Sequence, residues 1–225
     1  MVTVSDLYKR FGKNVALRGV SFYLPKGQAV GLLGLNGAGK STLLKLIAGL
    51  LLPDGGQVRV EGRPPRAARG KVVFLPEQSP WPPSATPKTV ARLLAGSVPD
   101  FDGDRYRELV EFLEVPERAF KQMSKGQRAR ANLALALSRS APLYLLDEPF
   151  GGIDLISRER ILNALIHEWR NQATLVVSTH EVGEAETLLD RALFLKKGEL
   201  VADVETKTLK AEGKTVVEVF KEVLA

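Results

Sequence analysis

Gly34-Leu35-Asn36-Gly37-Ala38-Gly39-Lys40-Ser41 is the stretch that decides the fold. It matches G-x-x-x-x-G-K-[ST] at every fixed position. An apolar run, Gln28 to Leu33, precedes it and reads as a buried strand. Ser41 to Leu50 follows with helical spacing, and Pro53-Asp54-Gly55-Gly56 ends it. These residue types suit one ligand chemistry. Glycines let backbone N–H groups approach phosphate oxygens closely. A helix starting at the same point aims its positive dipole end at the same anion. The pattern predicts a nucleotide's phosphates held by Asn36, Gly37, Ala38, Gly39, Lys40, Ser41 and Thr42. Lys40 is expected to bridge the β- and γ-phosphates, and Ser41 to offer its hydroxyl to Mg²⁺.

A second apolar run, Leu143-Tyr144-Leu145-Leu146, ends in Asp147-Glu148. A buried strand delivers such carboxylates at its C-terminal edge, where α/β sheets bind ligands. Asp147 is the candidate metal residue and Glu148 the candidate general base for an attacking water. The next strand, Ala173 to Ser178, runs into Thr179 and His180 at the same edge. An imidazole there could contact the γ-phosphate and the water. His167 sits in mid-helix and receives no role.

Outward from these motifs the chain alternates strands with helices, which predicts an α/β domain on a mainly parallel sheet. Val15 to Leu24, Gln57 to Glu61 and Lys71 to Leu75 read as early strands, additions to that core. Pro76, Pro80, Pro82, Pro83 and Pro87 mark an irregular loop. The pattern is helical from Pro87 to Ser140, with Leu109, Phe112 and Leu113 on one face and Ala129, Leu133 and Leu137 on another. Asp154 to Gln172 is predicted as a helix with Arg158, Ile161, Leu162, Leu165 and Trp169 in one stripe. Glu181 to Asp190 is predicted as a helix too. Arg191 to Leu195 and Glu199 to Asp203 form a strand pair about Lys197-Gly198. Val216 to Leu224 reads as a short terminal helix.

Composition narrows the classes. The 225 residues are 44% hydrophobic and 26% charged, which excludes wholesale disorder. The absence of cysteine removes disulfides, thiolate metal sites and cysteine nucleophiles. No run approaches the roughly 18 apolar residues of a membrane span, and Asp6, Lys9 and Arg10 stand where a signal peptide needs apolar residues. A soluble, cytosolic chain is expected. The net charge of +6 is spread among interleaved acids and bases, so it reads as a mixed solvated surface.

Met123-Ser124-Lys125-Gly126-Gln127-Arg128 resembles the signature motif of ABC-transporter ATPase subunits, usually Leu-Ser-Gly-Gly-Gln. Other pieces of that family's pattern fall in the family's order. Phe11 looks like the aromatic that stacks on adenine. Pro76-Glu77-Gln78 looks like the Q-loop, with Gln78 or Glu77 as the residue reaching the metal. Gly151-Gly152-Ile153-Asp154 looks like the D-loop, and His180 matches the switch histidine. The spacings agree: 84 residues from Lys40 to Ser124, 23 from Ser124 to Asp147 and 33 from Asp147 to His180. The chain departs from the pattern at Met123 and Lys125, has Phe for Tyr at position 11, and lacks the common Ser-Ala-Leu in the D-loop.

The resemblance implies a P-loop ABC ATPase core with an N-terminal antiparallel β-subdomain and a helical subdomain. Residues 1–75 and 141–205 would form the core and β-subdomain, 76–140 the Q-loop and helical subdomain, and 206–225 a tail. It implies ATP and Mg²⁺, the latter held by Ser41, Asp147 and Gln78. Two copies, or one copy and a second ABC subunit, would pack head-to-tail. Each ATP would then meet Lys40 of one chain and Ser124, Gly126, Gln127 and Asp154 of the other. The load would be an integral membrane permease. It would be an exporter by the Ser-Lys-Gly spelling, docked on the loop from Pro76 to Pro87 with Trp81 and holding the subunit at the inner face of the cell membrane. No nucleic-acid partner is implied, since the 84-residue interval leaves no room for the inserts of DNA-repair relatives. The alternative within the same motifs is an iron–sulfur assembly ATPase without a permease.

Overall fold

The computed structural model describes residues 1–168 and 173–224. In chain order its first half comprises β1 (Val2–Phe11), β2 (Asn14–Leu24), β3 (Ala29–Leu33), α1 (Lys40–Ile47), β4 (Gly55–Val60) and β5 (Val72–Leu75). The helical middle is α2 (Pro87–Ser97), α3 (Gly103–Phe112) and α4 (Lys125–Leu137). Then come β6 (Leu143–Asp147), α5 (Leu155–Glu168), β7 (Thr174–Thr179), α6 (Val182–Ala185), β8 (Arg191–Lys196), β9 (Glu199–Glu205), α7 (Thr206–Ala211) and α8 (Val216–Leu224).

Six strands form the main sheet in the order β5-β6-β7-β3-β8-β9, parallel except for β9 at the edge. Its central strands are apolar because both faces are covered. All five residues of β3 are buried, with Ala29 and Leu33 in one core and Val30 and Leu32 in the other. The first core is filled by α4, α5, α6 and α8, the second by α1 and a three-stranded antiparallel sheet, β2-β1-β4. Each fully buried Leu or Val contributes about 1.5–3 kcal/mol, so the sheet is the rigid frame of the molecule. Among the described residues no helix is long and apolar enough to cross a membrane.

Several expectations need correction. β1 was not legible, because its alternation breaks at a bulge: Asp6 takes φ 47° and the pairing register shifts between Val4 and Leu7. The helix expected over Glu181 to Asp190 shortens to one turn. Asp190 exchanges hydrogen bonds with Ala29 (its N–H to the Ala29 carbonyl at 2.8 Å, its Oδ2 from the Ala29 N–H at 2.9 Å), which pulls the chain into β8. Phe112 is exposed rather than inward, its ring edge-on to His167 with centroids 6.1 Å apart. The helix expected to Gln172 starts at Leu155 and is described to Glu168; Trp169 lies outside the described residues. Trp81 is half-buried and packs on the first core.

Candidate active site

The sheet edge where β3, β6 and β7 end gathers the motif residues. Gly39 caps α1 with φ 107°, a conformation only glycine takes without strain, and so turns the chain from loop to helix at Lys40. Asn36 and Gly37 form the exposed tip of the loop, Ala38 is buried, and Ser41 and Thr42 are half-buried in the first turn of α1. Lys40 is 5% exposed. Its Nζ donates to the carbonyls of Gly34 (2.8 Å) and Leu35 (3.3 Å) and pairs with Glu148 Oε1 at 3.1 Å. A buried ammonium needs such partners.

β6 and β7 run parallel with Asp147 beside Ser178. Asp147 Oδ1 accepts from Ser178 Oγ at 2.7 Å and from Ser41 Oγ at 2.9 Å. Glu148 follows with φ 49°, a left-handed backbone that costs a non-glycine residue about 1–2 kcal/mol. Its N–H is held by the Ser178 carbonyl at 3.0 Å and the Ser178 Oγ at 3.1 Å. That turn swings its carboxylate between Lys40 Nζ and His180 Nδ1, the latter 2.9 Å from Oε2. Sequence reasoning missed Ser178; its signal is a small hydroxyl residue inside an apolar strand, in register with the acid.

A hard divalent cation takes oxygen ligands. Ser41 Oγ–H donates to Asp147 Oδ1 at 2.9 Å, which brings two oxygens together, so this donor set fits Mg²⁺. Glu77 and Gln78, both exposed, line a cleft of about 300 Å³ together with Asp147, Glu148, Lys125 and Asn132. Nothing in the geometry prefers Gln78 over Glu77.

The signature segment forms a second structure. Ser124 caps α4, its Oγ accepting from Gln127 N–H at 3.2 Å while Gln127 Oε1 accepts from Ser124 N–H at 3.0 Å. Such a reciprocal cap fixes where the helix starts. Gly126 lies against the start of α5, where a Cβ would stand 2.5 Å from Asp154 Oδ2. Asp154 in turn caps α5 through Ser157 N–H and Oγ–H, both 2.8 Å, and these bonds hold its carboxyl below the ordinary range. Among the described residues no hydrogen bond joins Ser124, Gly126, Gln127 or Asp154 to the phosphate loop. Phe11 stands apart at the end of β1, 49% exposed, with Lys9 Nζ 5.3 Å from its ring centre.

A phosphate loop between a buried strand and a helix, with an acid-ended strand two places along the same parallel sheet, defines a P-loop nucleotide hydrolase. The ABC transporter family model matches residues 17–151, and the chain belongs to that family: it is an ATP-binding, ATP-hydrolysing cassette. It is 37% identical over 208 residues to the aliphatic sulfonates import ATP-binding protein SsuB of Granulibacter bethesdensis, covering 90% of this chain and 83% of that protein. It is 32% identical over 218 residues to the linearmycin resistance ATP-binding protein LnrL of Bacillus subtilis, covering 92% and 70%. The ATP-binding cassette MJ0796, solved as a dimer in a post-hydrolysis state with ADP and Pi, superposes with a TM-score of 0.79. Its identity is 26%, over 91% of this chain and 98% of that one.

Proposed function

We propose that the chain is the ATPase subunit that powers a separately encoded membrane permease, working as a pair of identical chains or beside a second ABC subunit. The observation that carries the chemistry is the Glu148 carboxylate, held between Lys40 Nζ and His180 Nδ1. In this reading Lys40 exchanges Glu148 for the β- and γ-phosphates when ATP arrives. Glu148, freed on that side, accepts a proton from the attacking water. His180 holds the other carboxylate oxygen and faces the γ-phosphate. Ser41 and Asp147, with Gln78 or Glu77 from the neighbouring loop, would hold Mg²⁺, which when bound offsets the phosphates' charge. Phe11 stacks on the adenine.

Ser124, Gly126, Gln127 and Asp154 complete a site on the second chain. Two features support this: among the described residues they make no hydrogen bond to their own phosphate loop, and MJ0796 is solved as a dimer. The working unit is one nucleotide-binding domain. Residues 1–75 and 141–205 form its core and β-subdomain, 76–140 its helical subdomain, and 206–225 its tail. It sits at the cytoplasmic face of the membrane through its permease, docked at residues 76–87. Export is the direction we assign, supported by Ser124-Lys125-Gly126 and by likeness to a resistance protein; likeness to an import protein argues the other way, and ATP-driven uptake or extrusion in vesicles decides. Glu148→Gln tests the site. It should lower turnover about a hundredfold or more and trap a dimer at saturating MgATP in sedimentation. Unchanged turnover, or monomer throughout, refutes the proposal.

A further inference from the structure

The signature end of α4 and His180 are joined by one continuous set of contacts. Gly126 packs on Asp154 and Ser157 at the start of α5. The Asp154 carbonyl accepts the Arg158 N–H at 3.0 Å, so the next residue on α5 moves with that cap. The Arg158 guanidinium then crosses to α6. Its Nη2 pairs with Glu181 Oε2 at 3.0 Å, and its Nη1 with Glu184. Glu181 is the residue after His180, and its N–H is fixed on Thr179 Oγ1 at 2.9 Å. The guanidinium is 20% exposed in its side chain, so these bonds are only partly screened by water. Its planar fork holds two carboxylates in a set geometry that an ammonium would not reproduce. Among the described residues the Arg158 Nε is buried without a hydrogen-bond partner.

We propose that Arg158 is a positioning residue that couples the signature end of α4 to His180. When the partner chain's nucleotide meets Ser124 and Gly126, any shift of α4 against Asp154 is carried by Arg158 to Glu181. The imidazole beside Glu148 is reset accordingly. One ATP site thereby senses whether the other is filled. The inference rests on the roles assigned above to His180 and Glu148.

The test is steady-state ATP hydrolysis by the full chain, with nucleotide affinity and melting temperature measured on each variant. Arg158→Ala should lower kcat about tenfold and bring the Hill coefficient for ATP toward 1. KM should stay within about twofold. Arg158→Lys should recover part of the loss, and it supplies the comparison if Arg158→Ala folds poorly. In a His180→Ala background, adding Arg158→Ala should change kcat by less than about twofold, because the residue acts through the imidazole. An equal tenfold loss in both backgrounds, or a lower melting temperature with kcat and Hill coefficient intact, overturns the coupling. Wild-type turnover in Glu148→Gln would overturn the underlying site reading instead. A slow Glu148→Gln beside an unaffected Arg158→Ala removes the coupling alone.

Discussion

Gly126→Ala places a methyl group where the first turn of α4 meets the start of α5. The new carbon would lie 2.5 Å from Asp154 Oδ2 and 2.8 Å from Ser157 Cβ, and against Ser157 Oγ. Carbon atoms settle near 3.5–4.0 Å, so the two elements must part by about 1 Å. Ser157 is 2% exposed, and its Cβ is fixed to the backbone, so a rotamer change relieves only the hydroxyl contact. Overpacking of this kind costs about 1–3 kcal/mol. Displacing the Asp154 cap costs about 1 kcal/mol more. Better helix propensity returns at most about 1 kcal/mol. The net loss is therefore about 2 kcal/mol, a melting temperature lower by roughly 4–8 °C in a chain of this size. Ser157→Gly removes two of the three clashing atoms. The double variant Gly126→Ala/Ser157→Gly should thus be more stable than the two single effects predict, by about 1 kcal/mol. Scanning calorimetry of the four chains measures the cycle. A Gly126→Ala chain that melts at or above the parent temperature refutes the packing argument, as does strict additivity.

Lys40→Ala should weaken ATP binding about tenfold or more, since a charge-assisted contact to phosphate is lost; a fluorescent-nucleotide titration reads it. Phe150 is fully buried just past Pro149, so Phe150→Ala should cost about 3–5 kcal/mol and lower the melting temperature by roughly 10 °C. Acid should destabilise the chain in a defined window. The Arg10 N–H holds the Asp54 carboxyl below its ordinary 3.8, and the Lys71 ammonium holds Glu61 below 4.5. Both values are lowered by folding, so their stabilisation is complete above the ordinary values and fades as pH falls through the folded ones. Melting temperature should be level down to about pH 5 and decline below about pH 4, less steeply in Asp54→Asn. A rise on acidification contradicts this.

The parts legible in the sequence are those where a local pattern and a burial demand coincide. The phosphate loop carries its own signal, because Gly39, Lys40 and Ser41 are needed as residue types whatever surrounds them. Val216–Leu224 forms as expected because its apolar stripe packs Val216 and Val219 into the core. Glu148 at the end of an apolar strand was visible as a carboxylate. Its left-handed backbone was not, because that turn is imposed by Ser178 on the neighbouring strand.

What stayed hidden was set by distant partners. β1 alternates only up to Val4. The bulge at Asp6 then brings Leu7 back to the core, and that correction depends on its pairing with β2 and β4. Phe112 looks inward by spacing, yet Leu109 and Leu113 already fill the space beneath α3, so the larger ring goes to the surface against His167. The same logic applies to the site. Lys40, Ser41, Asp147, Glu148 and His180 converge because parallel strands in one register end at one edge. Ser124 and Gly126 belong to a helix whose start is fixed by its own cap and by Asp154, and among the described residues no hydrogen bond joins that start to the phosphate loop. Sequence spacing does not show that placement, because it is set by the packing of α4 on α5.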